Sequence, residues 1–244
     1  NKNILTFAKE NNNQVVISNF HLSSLSEEQI FCIPYSPTLI DTFWWSPQGN
    51  YLSLLVIKGL ENAHGYSELL LINTDGEPAF EETDHIYDLD WFINENYVVV
   101  SKYTEDDFSG NKIQLLNLKT KEKIPLSLTG EIQFAPLVSI NGKGIYYSII
   151  NGLYQEVFYY DLSTQKNEFI FRDLKYLNNF TWLNNEELVF TGGPQSQIVI
   201  FNTQRKDFDF LGIGFQPMVR ENHLYFISSP DDHEQRILYK YFQE

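Results

Sequence analysis

Three carboxylates are placed for acid–base chemistry. Asp41, Asp88 and Glu131 each stand where a strand is expected to begin, in three successive segments. Two such groups about 5–10 Å apart can act as general acid and base in glycoside hydrolysis. The plainer reading is that polar residues bound strands. Nucleophilic catalysis has less to work with, since there is no Gly-x-Ser-x-Gly elbow. The single cysteine, Cys32, lies in the apolar run Gln29-Ile30-Phe31-Cys32-Ile33, as expected of a buried free thiol. His21, His64, His85, His223 and His233 show no short metal spacing. Glu105-Asp106-Asp107 and Asp231-Asp232-His233-Glu234 offer oxygens to a Ca²⁺, but they match no defined loop and read as solvated turns. The sequence calls for no metal and no cofactor.

The elements that must position these residues are set out by a repeat. An apolar or aromatic residue, a polar turn and a run of β-formers recur about every 36–48 residues. Trp45-Ser46-Pro47-Gln48-Gly49-Asn50-Tyr51-Leu52 is the clearest copy, and Trp91 to Val98 and Trp182 to Val189 repeat it. Ser139 to Tyr146 keeps the turn and the strand, and Met218 to Tyr225 is a degraded copy. A second marker has the same period. Asn73, Asn117, Asp161 and Asn202, spaced 44, 44 and 41 residues apart, each end a strand before a short turn. Asn and Asp suit this position because they close turns and tolerate left-handed backbone. A period near 40 built from short strands predicts an all-β fold, a β-propeller of four-stranded antiparallel blades.

Strands are labelled a to d from the expected ring axis outward. The first unit holds b, c and d, over Ile4–Lys9, Gln14–Phe20 and Gln29–Pro34. Four full units follow, at Asp41–Thr83, Ile86–Leu128, Glu131–Arg172 and Tyr176–Gly212. The last holds a, b and c, over Gln216–Arg220, His223–Ser228 and Arg236–Phe242. Six blades with the first and last incomplete is the expected architecture, in one domain over residues 1–244. Five blades plus an irregular remainder, or flanking sequence beyond this chain, are the alternatives. Trp44 and Trp45 are adjacent, so in a strand they point to opposite sides, each into the packing against a neighbouring blade.

The segment Trp45 to Leu52 is similar to the Trp-Ser-Pro-Asp-Gly-Lys motif of TolB-type propellers, which also occurs in the propellers of prolyl-oligopeptidase-like peptidases. The strand ending Tyr160-Asp161-Leu162-Ser163-Thr164 resembles that group and WD40 repeats. The other copies lack Ser-Pro and mostly lack Gly, and there is no Gly-His to Trp-Asp pairing at WD40 spacing. The resemblance implies the fold and a bias towards protein binding. It carries over no catalytic residue.

Composition narrows the partners. The net charge is −15, which disfavours nucleic acid and anionic lipid. No apolar run is long enough to span a membrane. One cysteine excludes an intrachain disulfide, which leaves exported and cytoplasmic locations equally open. Oligomeric state has no signal. The expected binding face joins the b-to-c connections, which read as long, and the d-to-a connections. From the first come Glu61, His64, Tyr66, Glu105, Asp106, Asp107, Phe108, Tyr154, Asp231, Asp232 and His233. Tyr35, His85, Tyr87, Tyr176 and Phe215 come from the second. Aromatics give rigid apolar contact area and carboxylates pair with Lys or Arg. A basic or extended segment of another protein is the expected ligand, bound without catalysis. The rivals are a glycoside hydrolase using Asp41, Asp88 and Glu131, and the propeller part of a larger peptidase or sensor.

Overall fold

The computed structural model describes residues 4–11, 14–34, 39–58, 66–82, 85–103, 111–130, 132–174, 177–193, 195–220, 223–228 and 237–241. These form six antiparallel sheets, with neighbours in sequence paired in space. Sheet 1 holds β1 (Ile4–Asn11), β2 (Gln14–His21) and β3 (Ser26–Pro34). Sheet 2 holds β4 (Leu39–Trp45), β5 (Tyr51–Lys58), β6 (Tyr66–Asn73) and β7 (Pro78–Glu82). Sheet 3 holds β8 (Ile86–Trp91), β9 (Tyr97–Tyr103), β10 (Asn111–Asn117) and β11 (Lys123–Pro125). Sheet 4 holds β12 (Gln133–Val138), β13 (Gly144–Asn151), β14 (Tyr154–Asp161) and β15 (Lys166–Leu174). Sheet 5 holds β16 (Asn178–Trp182), β17 (Glu187–Gly192), β18 (Gln197–Asn202) and β19 (Asp207–Ile213). Sheet 6 holds β20 (Phe215–Arg220), β21 (His223–Ser228) and β22 (Ile237–Tyr241). The three-stranded first and last sheets are those expected from the repeat.

The turn chemistry explains the second marker. Asn73 Oδ1 accepts the amides of Asp75 and Glu77, and Asn117 Oδ1 those of Lys119 and Thr120. Asp161 serves Ser163 and Thr164, and Asn202 serves Gln204 and Arg205. The marker residue therefore acts as an acceptor. It does not adopt left-handed backbone itself, which corrects half of the expected reason. That conformation falls later in the turn, on Gly76, Lys121, Gln165 and Lys206.

The first strand of sheets 2 to 6 carries one extra residue against its partner. The register shifts lie between Ile40 and Thr42, Ile86 and Asp88, Phe134 and Leu137, Asn178 and Thr181, and Phe215 and Met218. Such bulges re-aim side chains and interrupt the ladder. In the last three the extra residue comes with a left-handed backbone at Ala135, Asn179 or Gln216.

The chain packs as two compact units, one of Asn1–Phe108 with Gln114–Pro125 and one of Ser109–Ile113 with Leu126–Glu244. In the first unit, Ile17 and Ile33 of sheet 1 pack with Leu52, Leu54, Val56 and Ile72 of sheet 2. Leu55, Leu69 and Leu71 of sheet 2 pack with Ile86, Leu89, Trp91, Val98 and Val100 of sheet 3. Trp45 joins the first of these clusters and Trp44 the second, so the two adjacent indoles serve opposite faces of one strand, as expected. In the second unit, Leu137, Val157 and Phe171 of sheet 4 meet Leu188, Phe190, Val199 and Phe201 of sheet 5. Val189, Ile198 and Ile200 of sheet 5 then meet Leu224 and Phe226 of sheet 6.

The repeated tryptophan also has a polar task. Trp45 Nε1 donates to Thr6 Oγ1 (2.7 Å), Trp91 Nε1 to Ser53 Oγ (2.8 Å) and Trp182 Nε1 to the Val138 carbonyl (2.8 Å). Each indole reaches back to the preceding sheet, so a buried N–H finds its partner and the sheets are held in register. Cys32 is free and half-buried rather than core, because β3 is the outermost strand of sheet 1. Gln29 Nε2 donates to its sulfur at 3.0 Å.

Candidate functional site

The described part of the expected face is clearest at the start of sheet 3. Ile86 opposes Lys102 and Asp88 opposes Ser101, so Tyr87 is the extra residue of the bulge. In an unbroken strand Ile86 and Leu89 would point to opposite sides. Here both lie in the cluster shared with sheet 2. The bulge therefore turns Tyr87 and Asp88, neighbours in sequence, to the same other face. Asp88 shares that face with Ser101 directly opposite, and Tyr103 follows two residues on. Ring contacts agree: Tyr87 meets Tyr103 edge-on at 6.4 Å between centroids, and His85 meets Tyr103 edge-on at 6.0 Å. The Tyr103 amide donates to the His85 carbonyl (3.0 Å), closing the mouth of the β8–β9 pair.

Electrostatics mark one member of this group. Burial pushes the Asp88 carboxyl up to about 6, against a hydrogen bond from the Leu89 amide that pulls it down. That donor lies 2.9 Å from Oδ1. Tyr87 is 55% exposed, so the aromatic edge of the group is open to solvent. A half-buried carboxylate beside an exposed phenol ring can bind a cation or, when protonated, supply a proton.

The other expected residues are distributed as follows. Tyr154 is exposed at the start of β14, with the Arg172 guanidinium 5.0 Å above its ring. The connection before it, expected to be long, is a tight hairpin in which Asn151 pairs directly with Tyr154. Gly152, with left-handed backbone, permits the reversal that a longer loop would otherwise make. Phe215 opens β20 and opposes Ile227. Asp41 lies in the β4 bulge and Tyr66 begins β6, and their side chains lie outside the described set. Tyr35, Glu61, His64, Glu105, Asp106, Asp107, Phe108, Glu131, Tyr176, Asp231, Asp232 and His233 lie outside the described residues. Among the described residues, no three His, Cys, Asp or Glu side chains gather as a metal site.

Sequence reasoning missed Tyr103. It lies at a strand end away from any marker, and only the pairing of β8 with β9 brings it to Tyr87. It also missed a buried acid, Glu95, which accepts from the Gln48 amide (2.6 Å) and from Asn50 Nδ2 (2.7 Å). These partners belong to the Trp45 copy of the repeat, so Glu95 clasps the turn of sheet 2 from sheet 3. Its signal was weak, a Glu at the third position after the Phe92 turn residue.

No family model and no curated protein matches the chain. Solved structures do resemble it. TolB from Acinetobacter baumannii aligns with TM-score 0.65 and 10% identity over 96% of this chain and 60% of that one. An oligogalacturonate lyase from Vibrio parahaemolyticus aligns with TM-score 0.71 and 12% identity over 96% and 74%. The C-terminal WD40 domain of Sif2 aligns with TM-score 0.60 and 10% identity over 93% and 76%. The chain spans only 39% of the prolyl endopeptidase it resembles at TM-score 0.62. These likenesses establish the fold, a six-bladed β-propeller of the kind found in TolB and WD40 proteins.

Proposed function

We propose that the chain, residues 1–244 taken as one propeller domain, is a non-catalytic protein-interaction module. It docks a segment of a partner protein on an acidic, aromatic loop face. The observation that carries this reading is the group Tyr87, Asp88 and Tyr103 at the β8 bulge, with Tyr87 55% exposed. Exposed aromatics on a rigid strand are typical anchors of a protein interface. The net charge of −15 favours a basic partner.

The experiment is an affinity capture that compares wild type with a loop variant carrying Glu105→Lys, Asp106→Lys, Asp107→Lys and Phe108→Ala. The captured protein is then purified and its affinity measured directly. A partner bound by wild type and lost by the variant is expected. A partner held equally by both would move the interface off this face.

The rival reading, a propeller glycoside hydrolase, is favoured by one observation. A carboxyl raised to about 6 suits a general acid. On that reading Asp88→Asn abolishes turnover in a screen of acidic and neutral oligosaccharides. A chain that turns over none of them disfavours it.

A further inference from the structure

The geometry points to a receptor for one cationic side chain, a lysine or arginine of the partner, formed by Tyr87, Asp88 and Tyr103 on sheet 3. This deepens the docking reading above and rests on it. The bulge supplies the first condition, because it sets an aromatic ring and a carboxylate side by side on one face, which regular alternation forbids. Tyr103 supplies the second. Its ring lies edge-on to both Tyr87 and His85, at 6.4 and 6.0 Å, so ring faces are presented at an angle to each other. A cation within about 6 Å of such faces is attracted by their quadrupoles.

Asp88 supplies the third condition. Among the described residues it takes a hydrogen bond from the Leu89 amide, and an ionised carboxylate has about four acceptor positions. It is half-buried and costly to leave charged, so an arriving cation recovers the charge–charge attraction and the missing hydrogen bonds together. An apolar side chain would desolvate the carboxylate further and leave it unpaired. An anion would be repelled by Asp88 and by the net charge of −15. The chain already shows the same chemistry within itself, where Arg172 lies over the exposed ring of Tyr154 at 5.0 Å.

The probe is hexalysine, titrated calorimetrically into the whole chain at about 0.15 M salt, with fully acetylated hexalysine beside it. Tyr87→Ala and Asp88→Asn are each expected to weaken hexalysine about tenfold, within the range of cation–aromatic and ion-pair contributions. The acetylated peptide should not bind. An Asp207→Asn, Asp209→Asn double variant on sheet 5 should stay within twofold of wild type. Tyr87 is 55% exposed, so its truncation leaves the fold intact, which thermal unfolding of each variant verifies. Unchanged affinity in both sheet 3 variants overturns the receptor, as does no binding by wild type or an equal loss in the sheet 5 control. If the loop variant loses the partner while Tyr87→Ala and Asp88→Asn keep it, the docking face stands and the cation receptor falls.

Discussion

Asp88 and Asp161 are the same kind of group pulled in opposite directions. Burial raises Asp88 to about 6, while Asp161 is lowered to about 2, chiefly by the Ser163 hydroxyl and then by the Thr164 amide and hydroxyl. The folded state holds the Asp88 proton more tightly than the unfolded chain does. Stability from this group is complete below about pH 4 and lost as pH rises through about 6. Asp88→Asn should therefore stabilise the protein by about 2 kcal/mol at pH 7 and change little at pH 3.5, as denaturant titrations at the two pH values would show. Asp161 has the reverse sign. Its stability is present above about pH 4 and lost as pH falls through about 2, so Asp161→Asn should flatten that acid limb. The turns offer a second contrast. A Cβ on Gly76 would lie 2.3 Å from the Ile30 carbonyl oxygen, so Gly76→Ala should cost about 2 kcal/mol or more. Lys121 and Gln165 hold left-handed backbone at φ 60° and 55°. Replacing either by Gly should stabilise by about 0.5–1 kcal/mol in thermal melts, the relieved strain exceeding the added chain entropy.

At the scale of elements, the sheets are held to one another by a few directed bonds laid over an apolar interface. Glu95 reaches from the β8–β9 turn to the β4–β5 turn, with acceptor distances of 2.6 and 2.7 Å. Gln48 Nε2 returns a bond to the Ile93 carbonyl (2.7 Å). Glu95 is buried while Gln48 and Asn50 are exposed, so Glu95→Ala loses two charge-assisted bonds whose donors turn to water, and should cost about 1–2 kcal/mol by denaturant titration. Strand β14 and the residue just before β16 repeat the device with different atoms. Gln155 Nε2 donates to the Leu177 carbonyl (2.7 Å) and its Oε1 accepts the Leu177 amide (3.0 Å). Gln155 and Leu177 are both buried, which places this clamp inside the sheet-to-sheet packing. The strands were legible because their β-formers and turn residues recur with one period. The bulges were not, because an extra residue in a strand changes pairing without changing composition. The expected site held Tyr87 on the binding face and Asp88 among the axial carboxylates, as separate candidates. It could not say that they share a face.

The whole molecule is strongly acidic, with 32 Asp and Glu against 17 Lys and Arg. Exposed like charges repel over about 10 Å at 0.1 M salt and further below it. The melting temperature should rise by a few degrees between about 0.01 and 0.3 M NaCl as that repulsion is screened. A flat or falling profile would mean that ion pairs such as Arg205–Asp207, at 3.0 Å, outweigh net repulsion.

The order of residues was enough to specify the fold, its six units, the three-stranded first and last sheets and the split role of Trp44 and Trp45. All of these follow from periodicity and strand alternation, which are local properties repeated along the chain. Tertiary structure alone decided that Tyr103 joins Tyr87 and that Glu95 clasps another sheet's turn. It also decided that the repeated indoles donate to the preceding sheet. These contacts depend on register between strands and on packing between sheets. Register is set by the balance of bulges and buried faces, which no single segment of sequence carries.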